Sequence, residues 1–455
     1  MTSPSTAPFS SPSTTAPHAS DASRHAALDA AVAQAHARFA AANPLSRQQF
    51  ERNAVVMPGG NSRSTLFHTP FPLTMASGSG ATVQDVDGHR YTNFIGEYTA
   101  GIYGHSAPEI REAVVAALGQ GVNLCGHNLL EGELARLICG RFASVEQVRF
   151  TNSGTEANLM ALTAALQFTG RRRIAVFNGA YHGGVLTFGA TPSPTTAPYD
   201  FVVLDYNDPE QARTRLLAEG ERLAAVLVEP MLGAGGCIPG EADFLRTLRE
   251  VTQSVGALLI FDEVMTSRLG GHGRQGQLGI RPDLTTFGKY LGGGMSFGAF
   301  GGRADIMALY DPRLGKLAHS GTFNNNVVTM AAGIAGLTRL YTPTAAEALT
   351  QRGDALRQRL NALCAAEGVA LQYTGLGSVM NAHFVAQPIR RPADAAAGDA
   401  RLKELLFHHL LAQGFHTAAR GLVALPLPLT DANLDAFVAA VGSFIQTYRG
   451  LIGPR

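Results

Sequence analysis

A solitary lysine in an apolar, glycine-rich segment is the first residue of this sequence that could do chemistry. The segment TTFGKYLGGGMSFGAFGG, residues 285–302, contains seven glycines and one charged side chain, Lys289. An amine in apolar surroundings loses charge stabilisation, so its pKa falls and it can form a Schiff base with a carbonyl. The alternative is a lysine whose ammonium reaches solvent. We expect the glycines after Lys289 to let the backbone pass close to a ligand.

A second candidate site is a helix start that could bind an anion. In RFTNSGTEANLMALTAALQF, residues 149–168, a short strand is predicted to end at Thr151. Ser153 and Glu156 have the spacing of a capping box, and apolar positions at helical spacing follow. Gly154 permits close backbone approach, and Thr155 adds a hydroxyl beside the free N–H groups and the helix dipole. The alternative is an ordinary helix N-cap.

A carboxylate and an aromatic loop complete the set. Asp262 ends the buried run ALLIFD, where an unpaired ionised carboxylate costs several kcal/mol. The partner of Asp262 could be Lys289, in a structural salt bridge, or a ligand cation such as a protonated ring nitrogen. Alternatively, Asp262 could be the N-cap of a helix. The loop NGAYHGG, residues 178–184, offers Tyr181 and His182. The tyrosine ring could stack on a planar ligand or could simply extend into water.

These four features fit one cofactor, pyridoxal 5′-phosphate. The helix start binds a phosphate, the aromatic ring covers a heterocycle, Asp262 faces the ring nitrogen, and Lys289 bonds to the aldehyde. We know of no competing cofactor that needs all four.

The elements that must position these residues alternate between strands and helices. Short apolar runs at 173–177, 201–204, 224–230 and 257–264 are separated by helical patterns such as 155–169 and 241–255. This alternation predicts an α/β fold with a mostly parallel sheet and helices on both faces. Ligands of such sheets bind at the carboxyl ends of the strands.

The sequence also predicts how the chain divides. Residues 1–23, rich in Ser, Thr, Ala and Pro, are predicted to be a disordered tail, and a helix is expected from about Arg24 to Ala42. Residues 24–79 and 341–455 are assigned to a smaller α+β domain, and residues 80–340 to the large cofactor-binding domain. In the last part, helices are expected around 344–366 and 398–413, with strand-like pieces at SVMNAHFV and GLVALPLP.

Composition excludes several classes of function. Charged residues make up 16% of the 455 residues, below the roughly 25% of an average soluble domain, and the net charge is +1. Neither nucleic acid nor an anionic membrane is therefore expected as a partner. No run approaches the roughly 18 apolar residues of a membrane span. The four cysteines form no C-x-x-C pair and no H-E-x-x-H occurs, so we expect no metal site and a reducing cytoplasm.

With these motifs in place, the chain resembles the class III aminotransferases of PLP fold type I. TNSGTEA, YHG, VEP, ALLIFDEVMT, PDLTTFGKYLGGGMSFGAFGGR and GTFNNN are similar to glutamate-1-semialdehyde aminomutase. MPGGNSRSTLFHTPFPL, FIGEYTAGIYGHSAPEI, GHNLLEGELARLICGRF and HSGTFNNNVVTMAAG extend the resemblance to bacterial β-amino acid (β-phenylalanine) aminotransferases.

The resemblance implies a role for each matching residue. Lys289 holds the cofactor, Asp262 its pyridine nitrogen, and Ser153, Gly154 and Thr155 its phosphate. Tyr181 and Val264 cover the two ring faces, and Thr322 completes the phosphate site of the neighbouring subunit, which implies a homodimer with shared active sites. His182 and Glu229 also belong to the implied cofactor site.

Two arginines decide the implied substrate. Arg63 and Arg420 match positions that bind carboxylates in the β-amino acid enzymes, although each could be a surface arginine, and Glu97 and Tyr98 are expected to line the pocket. The expected reaction moves the amino group of a β-amino acid to a 2-oxo acid such as 2-oxoglutarate or pyruvate. The alternatives are an aminomutase, which needs no acceptor, and a non-catalytic protein with this fold.

Overall fold

A computed structural model describes residues 18–189, 191 and 193–455 of the chain. The strands, in chain order, are β1 (Met75–Ser79), β2 (Thr82–Asp85), β3 (Arg90–Asn93), β4 (Gln147–Thr151), β5 (Arg173–Phe177), β6 (Ala180–Tyr181), β7 (Thr187–Phe188), β8 (Asp200–Leu204), β9 (Leu223–Val228), β10 (Met231–Leu232), β11 (Ile238–Pro239), β12 (Leu258–Asp262), β13 (Leu284–Gly288), β14 (Gly298–Gly302), β15 (Gln372–Leu376), β16 (Val379–His383), β17 (Phe415–His416) and β18 (Leu422–Ala424).

The helices connect these strands and cover the sheets. In chain order they are α1 (His18–Ala42), α2 (Pro44–Ala54), α3 (Pro108–Leu118), α4 (Leu129–Arg141), α5 (Gly154–Thr169), α6 (Pro209–Glu219), α7 (Ala242–Val255), α8 (Gly273–Leu278), α9 (Ala304–Met307), α10 (Val327–Ala335), α11 (Pro343–Ala366), α12 (Pro392–Ala396), α13 (Ala400–Ala412) and α14 (Asp431–Ile452).

The central sheet has seven strands in the order β4-β14-β13-β12-β9-β5-β8. β13, β12, β9, β5 and β8 pair in parallel, and β14 lies antiparallel between β13 and β4. Side chains that alternate along a strand enter different cores, since Leu284 joins one apolar cluster and Phe287 another. The predicted α/β fold with a mostly parallel sheet is confirmed.

Two smaller sheets lie outside the central sheet, and one of them joins segments that are far apart in the chain. β17 pairs with β3 and extends the β1-β2-β3 meander, while β15, β16 and β18 form an antiparallel sheet. Helix α1 packs against α13. The predicted boundary at residue 80 thus falls inside the β1-β2-β3 meander, and the division into domains stays a prediction.

The predicted elements in the chain's two ends are largely present. Helix α1 begins at His18, six residues before the expected start, and ends at Ala42 before Pro44, where proline's fixed φ suits a new helix start. The rest of the expected disordered tail, residues 1–17, lies outside the described residues. Among the helices of the described chain, none combines the length and the hydropathy that crossing a membrane requires.

Candidate active site

The candidate site lies where parallel strands of the central sheet end at one edge. Asp262 is the last residue of β12, Lys289 follows β13, and Glu229 follows β9. β4 runs parallel to β13 because both are antiparallel to β14, so Ser153 follows β4 at the same edge. Apolar strand interiors hold these positions in place, and the polar residues follow where the strands leave the core.

The start of α5 forms a cradle for an anion. Ser153 is the N-cap, and its hydroxyl accepts a hydrogen bond from the N–H of Glu156 at 3.2 Å. The carboxylate of Glu156 accepts from the N–H of Asn152 at 2.9 Å, one residue before the expected partner Ser153. The predicted capping box is therefore only half formed. The remaining N–H groups of the first turn have no partner within the helix and can bind an anion.

Close packing explains why glycine occupies position 154. A Cβ there would lie 2.8 Å from a methyl group of Val264, and one on Gly183 would lie 2.1 Å from the hydroxyl of Thr155. The loop that carries Tyr181 and the segment after β12 therefore both press against the helix start. Gly154, Thr155 and Val264 therefore lie close together at the start of α5.

Asp262 is 4% exposed and is held by three donors. Its Oδ2 accepts from Nδ1 of His182 and from Nδ2 of Asn158, each at 2.8 Å, and its Oδ1 accepts from the N–H of Val264 at 3.0 Å. Within the described part of the chain, Lys289 makes no direct hydrogen bond with Asp262 and instead donates to Tyr98. The carboxylate is thus held by one backbone and two side-chain donors at the end of β12.

Asn158 is a site residue that the sequence did not single out. It lies one turn into α5, and its Oδ1 accepts from the hydroxyl of Thr286 at 2.7 Å, while its Nδ2 also donates to the carbonyl of His182. A buried asparagine inside the apolar helix sequence EANLMALTAAL was the available signal, because a buried amide needs partners.

Glu229 and His182 are buried at the loop that carries Tyr181. Glu229 is 4% exposed and accepts hydrogen bonds from the backbone N–H groups of Tyr181 and Gly233, each at 2.9 Å. Burial raises the pKa of Glu229. The ring of Tyr181 itself is exposed, and Nε2 of His182 is buried without a hydrogen-bond partner among the described residues. Glu229 therefore fixes the loop that presents the tyrosine ring.

Lys289 has a left-handed backbone, with φ of 58°, and a partly buried side chain. Its Nζ donates to the carbonyl oxygen of Tyr98 at 2.9 Å. Burial lowers the pKa of Lys289 to about 8; Asp262 opposes this shift, and Arg63 and Arg420 add to it. The amine is therefore held by a neutral acceptor and is poised to lose its proton near neutral pH.

Two of the three glycines after Lys289 pack against their own protein, and the expectation that this run lets the backbone pass close to a ligand stays a prediction. A Cβ on Gly292 would lie 2.3 Å from Phe297, and one on Gly293 would lie 2.4 Å from the backbone of Ala332 in α10. These two glycines let the loop pack on its own protein core. Gly288 instead faces the site, with its Cβ position 3.3 Å from Val264.

Tyr98 brings the two predicted arginines beside the lysine. The guanidinium of Arg63 lies 5.8 Å from the centre of the Tyr98 ring and that of Arg420 lies 4.9 Å from it. Arg63 also faces Glu97, with 3.5 Å between its terminal nitrogen and the carboxylate. Nε of Arg420 is buried without a hydrogen-bond partner among the described residues. The pocket thus offers two cations to substrate carboxylates.

A strained turn holds this pocket in shape. Glu97, Tyr98 and Thr99 all have positive φ, at 48°, 51° and 79°. The fully buried Arg268 donates to the carbonyls of Thr99 and Leu425, at 3.4 Å and 2.6 Å. Strain of this kind persists only where the surroundings enforce it. Sequence inspection missed Arg268, although an arginine just after the ALLIFDEV run was a visible signal.

Thr322 belongs to a loop that reaches the start of α5, since Nδ2 of Asn152 donates to Oδ1 of Asn324 at 2.9 Å. Thr322 is exposed in this loop, which precedes α10. The loop lies next to residues 122–128, since Nδ2 of Asn128 donates to the carbonyl of Asn325 at 2.8 Å and the N–H of Val327 donates to the carbonyl of Val122. The same surface exposes Leu129, Phe323 and Leu124. An exposed apolar patch of this kind suits contact with another chain.

The chain is similar to known proteins along most of its length. The family model for aminotransferase class-III matches residues 65–443. Beta-phenylalanine transaminase from Variovorax paradoxus is 67% identical over 428 residues, covering 94% of this chain and 99% of that protein. A crystal structure of a beta-phenylalanine aminotransferase from Variovorax paradoxus matches with a TM-score of 0.93, covering 93% of this chain and 99% of that one.

Two further relatives bear on the reaction and the cofactor. A glutamate-1-semialdehyde 2,1-aminomutase from Sorangium cellulosum is 38% identical over 391 residues, covering 82% of this chain and 89% of that protein. A solved transaminase with PLP bound is 35% identical, with a TM-score of 0.82, and covers 90% of this chain and 98% of that one.

Proposed function

The chain belongs to the class-III aminotransferase family, which confirms the predicted resemblance, and from this premise we propose a substrate and a role for each site residue. The protein is a pyridoxal 5′-phosphate-dependent transaminase that takes the amino group of a β-amino acid of the 3-amino-3-phenylpropanoate type. A 2-oxo acid, 2-oxoglutarate or pyruvate, accepts it. One observation carries the substrate proposal: Arg63 and Arg420 both lie against Tyr98, whose carbonyl binds the amine of Lys289.

The residues at the strand ends fit the cofactor. Lys289 would bond to its aldehyde carbon, Asp262 would pair with its ring nitrogen, and the start of α5 at Ser153, Gly154 and Thr155 would bind its phosphate. Tyr181 and Val264 would cover its ring faces. The fit rests on the N–H groups at the helix start that have no partner within the helix, on the exposed tyrosine ring and on the buried carboxylate of Asp262.

Lys289 is the proposed general base that accepts the substrate proton. When bound, the cofactor delocalises the electron pair that remains on the substrate carbon after deprotonation. Nζ of Lys289 would take the proton from that carbon, which its lowered pKa of about 8 permits near neutral pH. His182 and Asn158 hold the carboxylate of Asp262 in place, where it would pair with the ring nitrogen.

Arg63 and Arg420 together recognise the two kinds of substrate. Donor and acceptor carry their carboxylates at different distances from the reacting carbon, so one fixed cation cannot serve both equally. Two guanidinium groups on one tyrosine ring offer two positions, and each charge-assisted pair contributes about 1.5–3 kcal/mol. Glu97 holds Arg63 until a substrate carboxylate replaces it.

The proposed function is tested with a panel of donors and 2-oxoglutarate. Both enantiomers of 3-amino-3-phenylpropanoate are compared with aliphatic β-amino acids, α-amino acids and simple amines, and Lys289→Ala is the inactive control. We expect the highest kcat/KM with one enantiomer of the aromatic β-amino acid. An α-amino acid or a simple amine that exceeds it would contradict the proposal.

An aminomutase is the second candidate, and the relative from Sorangium cellulosum favours it. An isomerase turns over continuously without an acceptor, whereas a transaminase stops after one amino group per active site. Omitting the 2-oxo acid separates the two. A non-catalytic protein with this fold would show no turnover in either case, even where its visible absorbance disappears on borohydride reduction.

The active enzyme is proposed to be a homodimer with shared active sites. The exposed patch around Leu129 and Phe323 supports this, because burying it in a subunit contact would bring Thr322 of each chain to the partner. The four cysteines Cys125, Cys139, Cys237 and Cys364 are free, which suits the proposed reducing cytoplasm.

A further inference from the structure

A cluster of two histidines and a glutamate lies between α1 and α13, outside the candidate active site. His36 on α1 places its Nε2 2.8 Å from Oε1 of Glu404 on α13, and His408 follows Glu404 one helical turn later. One ligand atom from each of these three residues lies within 4.8 Å of the other two. Around one tetrahedral ion such atoms sit about 3.3 Å apart, so small side-chain rotations close the difference.

His408 has a free lone pair in this cluster. Its Nε2 lies 3.0 Å from the carbonyl oxygen of Thr69, and because a carbonyl only accepts, Nε2 carries the ring proton. The other nitrogen, Nδ1, is buried and makes no hydrogen bond among the described residues, and His408 is only 5% exposed. A backbone carbonyl that fixes the tautomer of a histidine is the usual support of a metal-ligating imidazole.

The surroundings favour a cation that enters from solvent. The side chains of His36 and Glu404 are 23% and 28% exposed, so one side of the cluster is open. The charged and titratable groups that act on His408 are His68, His36 and Glu404. Two imidazole rings and one carboxylate therefore supply the three ligand atoms of the cluster.

We propose that His36, Glu404 and His408 form a binding site for a transition-metal dication, with Zn²⁺ as the best fit. Two imidazole nitrogens and one carboxylate oxygen are a common zinc ligand set, and water supplies the fourth ligand. The ion clamps the N-terminal helix α1 onto α13. Through Nε2 of His408 it also fixes the Thr69 carbonyl, six residues after Arg63. Sequence spacing could not indicate this site, because 368 residues separate His36 from Glu404.

The test uses untagged holoenzyme that has been depleted of metal by a chelator and dialysed. ZnCl₂ is titrated by calorimetry, bound zinc is counted by elemental analysis, and the thermal midpoint is measured with and without zinc. His36→Gln and Glu404→Gln retain hydrogen-bonding groups and are compared with His25→Gln, a control on the same helix. Far-ultraviolet circular dichroism and the cofactor's visible absorbance verify that each variant is folded.

We expect one zinc per chain and a zinc-dependent rise of the thermal midpoint in the parent and in His25→Gln. In His36→Gln and Glu404→Gln the rise disappears and the affinity falls by at least about tenfold, the loss that removal of even an outer partner brings. Equal zinc binding in all four proteins, or no stoichiometric binding in the parent, overturns the proposal. If a variant does not fold, Co²⁺ added to the parent decides: tetrahedral visible bands support the site, and their absence rejects it.

Discussion

Replacing Arg63 by alanine tests the proposed carboxylate recognition most closely. Arg63 is half-exposed, with 50% of its side chain accessible, and already has Glu97 at 3.5 Å as a counter-ion. Its pair with a substrate carboxylate therefore belongs at the weak end of charge-assisted hydrogen bonds. A loss of about 1.5 kcal/mol corresponds to roughly a tenfold fall in kcat/KM for the β-amino acid.

Arg420→Ala is expected to lower kcat/KM more than Arg63→Ala does, in the half-reaction of the substrate whose carboxylate Arg420 binds. Its guanidinium lies closer to the Tyr98 ring, at 4.9 Å, and its Nε is buried without a partner. An ion pair between Arg420 and a substrate carboxylate in this less hydrated position belongs at the strong end of charge-assisted hydrogen bonds, about 3 kcal/mol. Its loss corresponds to roughly a 150-fold fall in kcat/KM. The lysine variants keep the charge but lose the forked geometry, so each should recover only part of the loss.

The assay measures each half-reaction separately in single turnovers, followed by the cofactor's visible absorbance. The donor is 3-amino-3-phenylpropanoate or 1-phenylethylamine, which lacks the carboxylate, and the acceptor is 2-oxoglutarate or pyruvate. Arg313→Ala is the matched control, since Arg313 is exposed and pairs only locally with Asp311. Equal losses with both donors, or a loss of cofactor affinity that parallels the loss of activity, would refute carboxylate recognition by these arginines.

Three further outcomes follow from the same site. In the cofactor-free enzyme, Lys289 has a pKa of about 8, so about a quarter of it is free amine at pH 7.5. Since Asp262 raises that pKa, Asp262→Asn should lower it further in a labelling titration; a rise would contradict the assignment. Glu97→Gln should strengthen binding of the β-amino acid up to about fivefold by releasing Arg63, and weaker binding would argue that Glu97 positions the arginine instead. Mixing Lys289→Ala with Thr322→Ala protein under subunit exchange should restore activity if active sites are shared, because one site of each mixed dimer then has both residues intact. Activity equal to the sum of the two separate variants would exclude sharing.

Local patterns were sufficient for the elements and for where the site lies. β5 spans residues 173–177 as predicted, and α5, α7 and α11 each start within a residue of their expected positions. Buried parallel strands are continuous apolar runs, so their ends are visible in the sequence, and functional side chains collect at those ends. The positions of Ser153, Asp262 and Lys289 at one sheet edge follow from this rule alone.

Partnerships between distant residues could not be predicted in the same way. Asp262 binds Asn158 and His182 rather than Lys289, and Lys289 binds a backbone carbonyl. Each choice depends on rotamers and on the approach of separate elements, which no local pattern encodes. Gly292 and Gly293 are explained by contacts with Phe297 and α10, which appear only in the folded chain.

The central claim is a covalent bond between Lys289 and the aldehyde of a vitamin B6 cofactor, and borohydride reduction followed by peptide mass spectrometry tests it most directly. The chain has only three lysines, Lys289, Lys316 and Lys403. Burial lowers the pKa of Lys403 to about 8 as well, so it is a matched internal comparison. The account predicts a phosphopyridoxyl group on Lys289 alone, in the peptide segment TTFGKYLGGG. A label on Lys403 or Lys316, or no label on reconstituted enzyme, would contradict it.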